Sequence, residues 1–107
     1  MIGGRTKAIL QVKTVAKNDI GEGVESWNNS INLTGFLDLS GGDSKYSNFS
    51  AKLQESTHIF ICDYVDIDRD PINKRMIING KNYDVLLIDN PMELNRRLEI
   101  YLKYVGV

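Results

Sequence analysis

The sequence predicts an all-β, mainly antiparallel domain: a small barrel or sandwich of about six strands, with a long loop between the second and third. Three observations carry that expectation. Apolar residues alternate with period two over much of the chain, clusters of Gly, Asn and Asp interrupt the alternation, and one Asn-Gly pair separates two apolar runs. Period two is that of a half-buried strand, whose successive side chains point to opposite faces. The 107 residues leave room for one domain, residues 1–107, with one modest core.

The first strand is read from Ala8, Leu10 and Val12, which alternate with Lys7, Gln11 and Lys13; Ile9 breaks the polarity of the outer face. Asn18-Asp19-Ile20-Gly21-Glu22-Gly23 is turn material, because Asn, Asp and Gly tolerate the backbone angles turns demand. After Trp27, the residues Ile31, Leu33, Gly35, Leu37 and Leu39 alternate with Asn32, Thr34, Phe36 and Asp38. This is the second strand, and Gly35 within it marks a bulge or a sharp bend.

Residues 40–56 read differently. Ser40-Gly41-Gly42-Asp43-Ser44 cannot continue a strand, and Tyr46, Phe49 and Leu53 recur at helix-like spacing among Ser, Asn and Lys. The expectation is a long loop holding a weak helical turn or two, and connections of this length are commonly functional or disordered. Residues 57–65 resume β character, with Ile59, Ile61 and Val65 on one face and His58, Phe60, Cys62 and Tyr64 on the other. Apolar residues on both faces suit a strand covered by a core on one side and by an interface or loop on the other. Pairing should lapse in the acidic connection Asp66-Ile67-Asp68-Arg69-Asp70-Pro71, since proline lacks the N–H a ladder needs.

The sharpest local signal is a hairpin. Arg75-Met76-Ile77-Ile78 leads into Asn79-Gly80 and then Lys81-Asn82-Tyr83-Asp84-Val85, and Asn-Gly supplies the two positive φ angles of a type I′ turn. The last segment is ambiguous. Leu98, Ile100, Leu102 and Tyr104 alternate as in a strand, while Leu94, Leu98, Tyr101, Leu102 and Val105 fit a helical face. The need to close a sheet edge favours the strand.

Several constellations invite a chemical reading. Asp66, Asp68 and Asp70 have the spacing that opens an EF-hand, but Pro71 stands where the sharp turn needs Gly, and Ile77 where calcium needs Glu. His58 and Cys62 are the only residues of their kinds, and on a strand they lie roughly 13 Å apart, too far for thiolate activation. Cys62 therefore reads as a small buried hydrophobe. Ser40-Gly41-Gly42-Asp43 lacks the Lys-Ser/Thr of a phosphate loop. Trp27 and the tyrosines could stack bases in an OB-like barrel, but that mode also wants a basic groove. The cations here are spread out, and the formal net charge is -1. With no nucleophile–base pair, carboxylate dyad or metal cluster, the expectation is a non-enzyme without cofactor or metal that works by assembling with other proteins.

A single cysteine permits no internal disulfide. The chain opens on Met1-Ile2-Gly3-Gly4-Arg5 with nothing resembling a secretory signal, and its apolar runs fall far short of the roughly 20 residues that span a bilayer. A reducing bacterial cytoplasm is the expected place of synthesis, with no membrane partner.

The order of features resembles the head–tail joining proteins of tailed bacteriophages, also called head-completion or stopper proteins. The residues that carry the likeness are Lys17-Asn18-Asp19-Ile20-Gly21-Glu22-Gly23 followed by Glu25-Ser26-Trp27, the strand over 33–39, the long polar loop, and residues 59–64. Lys74-Arg75-Met76-Ile77-Ile78-Asn79-Gly80-Lys81-Asn82-Tyr83-Asp84-Val85, Ile88-Asp89-Asn90-Pro91 and Leu98-Glu99-Ile100 complete it. Members often carry Arg where this chain has Cys62-Asp63-Tyr64, which keeps a tail-completion or tail-terminator protein as the alternative. The resemblance implies a virion protein whose homo-oligomeric ring lies beneath the portal and its adaptor, closes the DNA-filled head and docks the tail. It places Gly41, Gly42, Asp43, Lys45, Tyr46, Phe49 and Lys52 on a loop in the DNA channel, through which double-stranded DNA passes without sequence-specific binding. Trp27, Phe60, Tyr64 and Tyr83 are the expected packing or interface anchors.

Overall fold

The computed structural model describes residues 5–39 and 56–107. Its strands are β1 (Thr6–Lys17), β2 (Gly23–Leu39), β3 (His58–Asp63), β4 (Lys74–Ile78), β5 (Lys81–Asp89) and β6 (Arg97–Gly106), with a short 3-10 turn at Pro91–Glu93 between the last two. Their order around the sheet is β1-β2-β3-β6-β5-β4, and β4 returns to β1 to close a barrel. Every pairing is antiparallel. Closure removes the free edges that an open sheet of this size would expose.

Alternation along each strand fills the barrel. Leu10, Phe60, Met76, Ile78, Leu98, Ile100 and Leu102 are fully buried, and Ala8, Leu33, Cys62, Tyr83, Val85 and Ile88 complete the core. Each large aliphatic or aromatic side chain sequestered in this way contributes about 1.5–3 kcal/mol. At one end Tyr64, Val65 and Ile67 leave β3 and pack beneath the core.

The two ends of the barrel differ. The register puts Thr6, Leu39, His58, the Asn79-Gly80 turn and Gly106 at one end. At the other lie Val12, Asp63, Lys74, Asp89 and Arg97, with the connections 64–73 and 90–96. From this second end β1 and β2 run on as a two-stranded arm. Pairing of β4 with β1 stops at Val12, with one further bond from Lys13 N–H to the Asn73 carbonyl, and pairing of β3 with β2 starts only at Gly35. In the ladder, Lys13–Lys17 and Gly23–Trp27 therefore pair with each other alone. Five residues at about 3.3 Å each carry the arm roughly 17 Å outward, and the molecule measures 49 × 28 × 28 Å.

The Asn79-Gly80 hairpin forms as expected, with φ of 53° and 74° at the turn. Residues 97–106 are the strand of the two readings, because Leu98, Ile100 and Leu102 must all face the core. Three details differ from the sequence expectation. The first two strands are longer than their apolar alternation indicates, since the arm belongs to them. The bulge lies not at Gly35 but at Ser30, the extra residue where the register shifts opposite Leu10 and Gln11. Gly35 instead lets β3 approach: a Cβ there would sit 2.1 Å from the Ile61 carbonyl oxygen. In β3, Val65 lies past the strand and joins Tyr64 against the core, leaving Ile59 and Ile61 half-buried on the outside.

Candidate functional site

Two outward surfaces stand out. The first is the arm. Asn18 forms its tip: its side-chain oxygen accepts from the N–H groups of Ile20 and Glu22 at 3.1 and 2.9 Å, and Gly21 adopts φ of 82°. Along the outer face of the arm, Lys13, Val15 and Lys17 lie opposite Trp27, Glu25 and Gly23. Trp27 is half-buried there, with the Arg75 guanidinium 4.3 Å and the Lys13 ammonium 5.9 Å from its ring centre. Arg75 is held over the ring by its Nε, which donates to Gln11 Oε1 at 2.7 Å, while Gln11 donates to Asn29. On the reverse face the Thr14 hydroxyl bonds the Ser26 hydroxyl and accepts from the Asn28 amide. Val15 is 62% exposed, Val24 48% and Ile20 76%.

The second surface is the outside of β2-β3-β6-β5. The register aligns Phe36, Ile61, Glu99 and Asp89 in one row across four strands, and Asp38, Ile59, Tyr101 and Leu87 in the next. Phe36 is 51% exposed, and the other apolar members are half-buried. Asp38, Asp63, Asp89 and Glu99 rim this apolar strip. Glu99 accepts from Arg97 Nε at 2.7 Å and from the Tyr101 hydroxyl at 3.2 Å. Asp89 faces Glu99 directly across the pair; partial burial first, then Glu99 and Glu93, raise its carboxyl above the usual range. Burial and the same glutamate push the Tyr101 phenol up to about 12.

The expected anchors divide between core and surface. Phe60 is wholly inside the barrel, and Tyr83 is buried with its ring edge-on to His58 at 5.1 Å and to Tyr104 at 5.5 Å. Tyr64 is half-buried beneath the core. Trp27 alone faces outward. The loop residues Gly41, Gly42, Asp43, Lys45, Tyr46, Phe49 and Lys52 lie outside the described residues.

The acidic connection is spent on local structure. Asp70 N–H donates to Asp68 Oδ1 and Ile72 N–H to Asp70 Oδ1, at 3.1 and 3.0 Å. The buried Lys74 ammonium reaches Asp68 Oδ2 at 3.1 Å and the Asp70 carbonyl. The Asp70 N–H and then Lys74 hold the Asp68 carboxyl below its usual range. Arg69 clamps Glu93 through both carboxylate oxygens, at 2.9 and 3.1 Å. Among the described residues no group of three or more His, Cys, Asp or Glu could hold a metal ion, and no helix is long and apolar enough to cross a membrane. Burial, then Asp63, raises the Cys62 thiol to about 11, so it is a packing group at neutral pH. A shallow 350 Å³ depression between β1 and β2 is lined by Lys7, Ala8, Ile9, Asn32, Leu33 and Thr34, which offer no acid, base or nucleophile pair.

What the sequence reading missed is the arm. Its signal is present but faint: Asn18-Asp19-Ile20-Gly21 lies between Val15 and Val24, with no apolar run on either side.

No protein-family model and no curated protein matches this chain. Solved structures do. Protein SF1141 from Shigella flexneri 2a is similar with a TM-score of 0.68 at 16% identity, over 94% of this chain and 92% of that one. A chain of the virion of the native gene transfer agent particle is similar with a TM-score of 0.63 at 10% identity, over the whole of both chains. At such identities the likeness is one of fold.

Proposed function

We propose that this chain is a structural protein of a tailed-phage particle, joining the head at its portal or adaptor to the tail. Copies form a ring that closes the DNA channel after packaging. The observation that carries the reading is the end-to-end fold likeness to a chain of the gene transfer agent virion. It agrees with the order of sequence features that resembles the head–tail joining proteins.

The surfaces support a role in assembly. A barrel that needs only its core to fold has no internal use for an arm with three exposed aliphatic side chains, or for an apolar strip on its outer wall. Among the described residues the acidic connection is committed to turns and ion pairs, which is compatible with a structural role. The partners are further copies of the chain, the portal or adaptor, and tail proteins. DNA crosses the ring without sequence-specific contact, since a net charge of -1 supplies no bulk attraction for phosphates.

The test is deletion of the gene in the phage or prophage that carries it, followed by induction and negative-stain electron microscopy. Free tails beside heads that have lost their DNA are expected. Overlong tails beside closed heads would move the protein to the tail side. Intact infectious particles would overturn the proposal.

A further inference from the structure

The arm and the acid-rimmed strip complement each other, and one molecule cannot join them. The arm presents Lys13, Val15 and Lys17 on one face, an aliphatic side chain between two cations. Among the described residues Lys17 makes no ion pair, while Lys13 has only the long 3.6 Å contact to an exposed Glu25. The strip presents Phe36, Ile59, Ile61, Leu87 and Tyr101 between carboxylates, with Asp89 and Glu99 side by side. Like charges directly opposite on neighbouring strands are unfavourable. Arg97 already pairs with Glu99 at 2.7 Å, so Asp89, which makes no ion pair among the described residues, is the carboxylate that gains from a cation arriving from outside. The arm continues the β1-β2 ladder away from the barrel and cannot fold back onto its own outer wall.

We propose that the β1-β2 arm of one copy lies on the outer β3-β6-β5 wall of the next copy, with Val15 on the apolar strip and Lys17 meeting Asp89. The contact is heterologous, with a different patch on each partner, and repetition of such a contact closes a ring or extends a filament. The inference rests on the ring reading above and adds which surfaces make the ring. It also accounts for a chain of nearly neutral net charge whose local patches have opposite sign: neighbours attract while the assembly stays balanced.

The experiment uses the full chain, carried by its own phage or prophage, with Lys17→Cys and Asp89→Cys together and each alone. Purified particles are treated with a short bismaleimide and the chain is followed by immunoblot; Cys62 is buried and stays out of the reaction. The double variant should give a ladder of multimers, because each copy is linked to the next, and the single variants only monomer. A dimer from Lys17→Cys alone would mean that arms meet arms, and would overturn the proposal. No ladder in particles that contain the protein would overturn this assignment and leave the head–tail reading standing. Absence of the protein from the particles would sink both. As a second arm of the test, Lys17→Glu or Asp89→Lys should each lower the yield of tailed particles about tenfold, the scale of one interfacial charge pair. Combining the two should restore it, and failure of that rescue would count against the pairing.

Discussion

Single residues in this barrel separate those that hold the fold from those that face outward. Phe60 and Trp27 are both large aromatics, and each is an obvious candidate anchor in the sequence. Phe60 is fully buried and Trp27 lies half-exposed beneath Arg75. Phe60→Ala should therefore cost about 3–5 kcal/mol in urea unfolding. Trp27→Ala should cost no more than about 1–2 kcal/mol, the worth of partial burial and a stacked guanidinium; equal losses would put Trp27 in the core. Cys62 makes a prediction about pH. Its thiol is raised from 9.0 to about 11, so between these values the unfolded chain loses a proton that the folded chain keeps. Stability is then fully present below pH 9 and declines as pH rises toward 11, by up to about 1.4 kcal/mol per pH unit. Tyr101, raised to about 12, adds the same sign of slope only above pH 10. Cys62→Ala should flatten the profile between pH 9 and 10, and an unchanged slope there would assign it to another group. The inward role of Cys62 was legible from its place in an alternating run. The role of Gly35 was not, because its neighbour at Ile61 becomes close only when β3 pairs with β2.

Among the elements, legibility followed burial. Strands with one face in the core print that face on the sequence: Met76 and Ile78, Tyr83 and Val85, then Leu98, Ile100 and Leu102. The Asn79-Gly80 turn added a local conformational demand that few other pairs meet. The terminal segment stayed ambiguous because its leucines satisfy both periods, and only the pairing of β6 with β3 and β5 decides between them. The arm left almost no trace, since a ribbon with solvent on both faces needs no apolar alternation. Isolated two-stranded ribbons are marginal in water, so the arm draws its order from the barrel and returns little stability to it. Replacing residues 14–26 by Asn-Gly would join Lys13 to Trp27, which already face each other, through the tightest favoured hairpin turn. The shortened chain should keep a cooperative urea transition within about 1 kcal/mol of the parent, as changes to exposed segments usually do. Loss of that transition would show that the arm is required for folding rather than for contact between copies.

For the whole molecule, the useful fact is how little of the chain the barrel needs to connect β2 to β3. Leu39 and His58 are direct partners across the sheet, yet the connection between them runs from residue 40 to residue 57. Deleting Gly41–Leu53 leaves Ser40, Gln54, Glu55, Ser56 and Thr57, a hairpin loop of ordinary length. It retains the Thr57 N–H bond to Leu102 and the Thr57 hydroxyl that accepts from Tyr104 N–H. Closing the shorter loop costs less chain entropy by about 1 kcal/mol, so the deletion should leave the melting transition of the barrel in place or raise it slightly. A segment that the fold does not require is then free to serve the assembly, and the residues that flank it, Leu39 and His58, lie at the end of the barrel opposite the arm. The deletion should yield particles whose heads assemble but fail to keep their DNA, measured as the ratio of full to empty heads in micrographs. Collapse of the melting transition would make residues 41–53 part of the core. A stable barrel with undiminished DNA retention would remove Tyr46, Phe49 and their neighbours from the channel and leave the arm as the principal assembly device of the chain.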